Sequence, residues 1–168
     1  MWFFMISCYI LMGISYIMLL GLGIQGLVVF KIFGVNHPAF ALLTAIIYLF
    51  TETLVIFFFV GTGVSIKEYT QEHHTSPEYH KQSIAVKRRI YPPLLLDILL
   101  FMIVFILGGA VDTNKLPGYV HGLVYVLFII HFTRTIVIQH RCFKDNTGII
   151  LAMSGVESPS EVKQASVQ

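Results

Sequence analysis

A carboxylate inside a long apolar run is the first residue in this chain that calls for a chemical explanation. Glu52 lies near the middle of ALLTAIIYLFTETLVIFFFVGTGVSI, a run longer than the ~20 residues that cross a bilayer core. An ionisable group at that depth costs about 2.5–3.5 kcal/mol on insertion scales and marks a candidate functional position. Positions three, four, seven and eleven away share its helical side, which gives Ala41, Ala45, Tyr48, Ile56, Phe59 and Gly63. Small residues at both ends of that stripe turn the face toward protein. Two readings follow: a carboxylic acid kept protonated and hydrogen-bonded to Tyr48, Thr51 or a neighbouring helix, or an acid that handles protons or cations.

Asp97, His131 and Arg134 form a second set of intramembrane polar groups. Counted from the expected cytoplasmic ends of their helices, Asp97 and Arg134 each lie ~7 Å deep at 1.5 Å per residue. An ion pair between them would lower the cost of both charges, and His131 shares the face of Arg134 at a spacing of three. On the same count Glu52 sits ~21 Å along its helix from Ile66, out of reach of Arg134. Its partner is then a hydroxyl, a water or a group on another chain.

Of the seven histidines, His37 and His121 alone share a depth, both near the outer surface. Two imidazoles level with each other on facing helices can hold a haem b, so this pair is the candidate cofactor site. The cytoplasmic set Glu72, His73, His74, Glu78 and His80 has the side chains for a metal, but its spacing matches no ligand pattern, and no metal site is expected. No nucleophile with a base and an orienting group is apparent, so no catalytic residue is assigned. Gly21-x-Gly23-x-x-Gly26 spells a dinucleotide fingerprint, but inside an apolar span it reads as a helix-packing face. Gly118-x-x-x-Gly122 reads the same way, with Gly108-Gly109 as its receiving surface.

The elements that must carry these residues follow from composition. Hydrophobic residues make up 56% of 168 and charged residues 12%, and the mean hydropathy is +0.78, so lipid has to cover much of the surface. A net charge of +2 gives no reason to expect nucleic acid. Two cysteines, Cys8 and Cys142, make no disulfide framework. Four runs are long enough to span: about 3–30, 39–66, 93–111 and 119–138. The first has no basic residue before it and is about twice the length of a signal-peptide core, so it is expected to be retained.

Lys67, Lys81, Lys87, Arg88 and Arg89 lie between spans two and three, and Arg141, Lys144 and Lys163 follow span four, against Lys31 and Lys115 elsewhere. The positive-inside rule then places the loop 67–91 and both termini in the cytoplasm, with a cell inner or plasma membrane as the expected location. Short outer links predict an all-α, up-down four-helix bundle over residues 1–143. Ser76-Pro77-Glu78 predicts a short cytoplasmic helix from Pro77 to about Ile90, broken at Pro92-Pro93. A largely disordered tail over 144–168 is expected to follow, its apolar patch Ile149–Met153 able to lie on the membrane surface.

With so little mass outside the bilayer, the expected function is a non-catalytic anchor or accessory subunit of a respiratory or electron-transfer complex, in contact with lipid and other membrane subunits. The alternatives are a small oligomeric proton-coupled transporter or channel working through Glu52, and a small haem b cytochrome using His37 and His121.

Overall fold

The computed structural model describes residues 2–28, 30–32 and 34–155. They form four helices: α1 (Trp2–Leu27), α2 (His37–Glu72), α3 (Glu78–Asp112) and α4 (Gly118–Met153). All four are long and apolar enough to cross a membrane. Each packs on the next in sequence and α1 also packs on α4, which leaves α2 and α4 on a diagonal of the bundle.

The distribution of polarity is that of a protein solvated by lipid. Ile17 and Phe57 in the middle of their helices are 71% and 62% exposed, while Ser15, Thr51, Glu52, Asp97, Thr135 and Gln139 are fully buried. In water so much exposed apolar surface would be an aggregation site, and in a bilayer it is the solvent-facing surface. The inward polar atoms find partners across the bundle because hydrocarbon offers them none.

The helix starts follow local rules. Asn36 caps α2, its side-chain oxygen accepting from the Ala39 amide at 3.2 Å, and Pro38 occupies the first turn, where a missing N–H costs nothing. Gly34, at φ +79°, turns the chain just before this cap. Ser76 does not cap α3 as its sequence position predicts. Pro77 takes the capping position, and the Ser76 hydroxyl accepts from the Glu78 amide at 3.3 Å.

Three expectations are corrected. The short helix ending at Pro92-Pro93 does not exist as a separate element, because α3 runs unbroken through both prolines. The two rings deprive the carbonyls of Arg88 and Arg89 of their helical partners. Both residues are exposed, so water can reach those carbonyls, and apolar packing further along holds the helix. Next, α4 does not end near Ile138 but continues to Met153, absorbing the first part of the predicted tail. Its extension is helical because Cys142, Phe143, Asn146 and Ile149 recur at spacings of one, three and three and are all buried. Finally, Ile149 packs with Ile66, Val86 and Ile90 in the core instead of lying on a membrane surface. The rest of the predicted disordered tail, from Val156 onward, lies outside the described residues.

Candidate functional site

Two sets of inward-facing groups stand out, one at mid-bundle and one at the end built from the starts of α2 and α4.

At mid-bundle, Glu52 accepts a hydrogen bond from the side-chain amide of Gln139 through Oε2 at 2.8 Å. Asp97 pairs with Nδ1 of His131 at 2.6 Å. Arg134 is exposed and makes no ion pair among the described residues, so the expected Asp97–Arg134 bridge is replaced by Asp97–His131. The reason is angular: His131 lies three residues from Arg134, close to the same side, yet only the shorter imidazole points into the bundle. Arg134 directs its long side chain outward.

The expected separation of Glu52 from the Asp97 layer is also corrected. Neither Ile66 nor Pro93, the expected ends of their apolar runs, is a helix end. Glu52 lies about 20 residues before the end of α2 and Asp97 about 19 after the start of α3, each ~30 Å from the short turn joining them. The two carboxylates therefore share one level. Ser15 extends the layer to α1 through a 2.8 Å hydroxyl contact with Thr51. Tyr48 stands just above, its ring centre 4.4 Å from Phe101 and 5.3 Å from Phe132.

Gln139, the in-chain partner of Glu52, escaped the sequence reading because it falls just beyond the predicted end of span four. A signal was present: Phe128, Phe132, Thr135, Gln139 and Cys142 recur every three or four residues, which defines one helical face. That face is the buried one.

At the other end of the bundle, His37 from α2 and His121 from α4 meet across the diagonal. Their ring centres are 6.5 Å apart and their planes stand at 84°. Nδ1 of each is buried and has no hydrogen-bond partner. Glycines make room for these rings. A Cβ at Gly26 would come within 3.4 Å of the His37 ring, and one at Gly108 within 3.3 Å of the His121 ring. Gly23 accommodates Tyr125, which would meet a Cβ there at 2.8 Å, and the Tyr125 hydroxyl donates to the Leu19 carbonyl.

Beside the two imidazoles is a cavity of about 690 Å³, lined by both histidines, by Gly23 and Gly26 of α1, by Phe105, Gly108 and Gly109 of α3, and by Gly122 and Val126 of α4. Its size falls in the range of small-molecule and cofactor sites. Gly109 and Gly122 have nothing within 4 Å of where a Cβ would be. The expected packing of the Gly118–Gly122 face against Gly108-Gly109 is thus not what these glycines do: Gly108 receives His121, and Gly109 and Gly122 border open space.

The arrangement suits a flat metal macrocycle. His37 and His121 are the residues that would hold such a group, and its metal would supply redox chemistry that the side chains here lack. The histidines come from diagonal helices, and the glycines that widen the cavity come chiefly from the two helices flanking that diagonal.

No protein-family model, curated protein or solved structure matches this chain.

Proposed function

We propose that this integral membrane protein carries a haem b between His37 and His121 and serves as an electron-transfer subunit in the membrane. The observation that carries the reading is the diagonal imidazole pair, 6.5 Å between ring centres, beside a glycine-lined cavity. A haem supplies a one-electron couple that no side chain here provides. Neutral imidazole is the form that would ligate a haem iron. Gly26 and Gly108 fix the positions of those rings, and Phe105 and Val126 keep the site apolar.

In this reading the bundle runs up and down with both termini in the cytoplasm, which places the pair near the outer face. An electron carrier with so little mass outside the bilayer needs donor and acceptor partners. Membership of a larger assembly therefore belongs to the same proposal.

The test is an absorption spectrum of the protein purified in mild detergent from cells supplied with haem precursor. A Soret band that shifts on reduction is expected, with loss of the band in His37→Ala and in His121→Ala at unchanged helical content. A wild-type protein that folds and shows no Soret band overturns the proposal.

A further inference from the structure

The mid-bundle layer contains more acceptors than it can satisfy. Glu52, Asp97, Gln139 and Tyr48 are each fully buried, and each has one oxygen without a partner: Oε1, Oδ2, Oε1 and Oη. The Gln139 oxygen belongs to the amide already bonded to Glu52, so it is fixed in the same layer. Tyr48 lies close enough to both carboxylates for their charges to act on it. Three of these atoms are acceptors when the acids are ionised, and the donors to set against them are the Tyr48 hydroxyl and, beside Asp97, that of Thr135.

The charge is unbalanced as well. From α4, His131 faces Asp97 and is the basic side chain set against it. From α1, Cys8 is the titratable group near enough for the Glu52 charge to act on it, and it cannot supply a positive charge in return. Arg134 is turned outward. Among the described residues, Glu52 is left with an amide partner and no counter-charge, in a medium where an isolated carboxylate is expensive. The layer is one positive charge short.

We propose that these four oxygens form an intramembrane binding site for one small exchangeable monovalent cation, a proton or a sodium ion. Hard oxygen donors and a single uncompensated negative charge suit both occupants and no soft metal. As a proton, the occupant converts one carboxylate into an acid whose O–H supplies the missing donor. As sodium, it accepts lone pairs from the same oxygens. His37 and His121 take no part, so the site stands whichever way the absorption spectrum falls.

Infrared difference spectra of the full-length protein in lipid, recorded between mildly acidic and alkaline buffers, test this. In choline chloride, a deuterium-sensitive carboxylic acid carbonyl band at neutral pH is expected, lost in Glu52→Gln and shifted in Asp97→Asn. Replacing choline by sodium distinguishes the occupants: a band that persists identifies a proton site, and one that disappears identifies sodium displacing the proton. A wild-type protein with no such band in choline and no response to sodium overturns the proposal, as does a band unaltered in both variants. The wild-type arms and Asp97→Asn decide the matter even if Glu52→Gln does not fold.

Discussion

The two ends of the bundle are built in opposite ways. Around the turn joining α2 to α3 and the extension of α4, Phe58, Phe59 and Phe143 form a mutual cluster with ring centres 4.9–5.2 Å apart, and Cys8, Ile66 and Ile90 close the space around them. At the opposite end, glycines on three helices border a cavity of about 690 Å³. The same chain packs densely at one end, so the space at the other is not a general failure to fill a core. Exposed Ile24, Tyr119 and Val126 on its rim open that space to the surface of the bundle, and the side chains bordering it forgo dispersion contacts that a filled core would give them. Two unpartnered imidazoles beside such a space are what the haem proposal rests on.

Substitutions at the two ends should therefore behave differently. Phe143→Ala at the dense end is expected to destabilise the bundle by about 3–5 kcal/mol through the cavity it leaves, read as a lower midpoint in denaturant titration from mixed micelles. Gly122→Leu at the open end points a side chain into empty space, so the unfolding midpoint should hold or rise. Haem retention should weaken about tenfold, about 1.4 kcal/mol, in competition with a soluble haem acceptor. A Gly122→Leu protein that loses stability as Phe143→Ala does would erase the distinction between the ends. The smallest effect is expected for Arg89→Ala, which removes the Arg89–Asp145 pair between α3 and α4. Both side chains are about half exposed, and such pairs contribute under about 1 kcal/mol. A larger drop in the same titration would mean that the dense end depends on charge as well as on packing.

The four spans were legible in the sequence because hydropathy over ~20 residues is a strong signal. Their ends were not. Hydropathy reports where lipid stops, whereas helices continue as long as a periodic inward face supports them, as Cys142, Phe143, Asn146 and Ile149 do for α4. The same gap between the end of an apolar run and the end of a helix displaces Glu52 in depth and hides Gln139. The His37–His121 juxtaposition follows from matching depths at the short links before α2 and α4, where the marker and the true helix start nearly coincide. Which of His131 and Arg134 would meet Asp97 is a matter of side-chain length and direction, and residue spacing alone could not decide it.

The paired prolines of α3 also have a mechanical meaning. A helix resists bending because each turn is tied to the next, and at Pro92 and Pro93 two successive ties are missing. What the backbone no longer ties at that point, side chains do: Val86 and Ile90, just before the prolines, and Leu94, just after them, are all buried in one core cluster. The straightness of α3 there is therefore set by packing more than by its own hydrogen bonds.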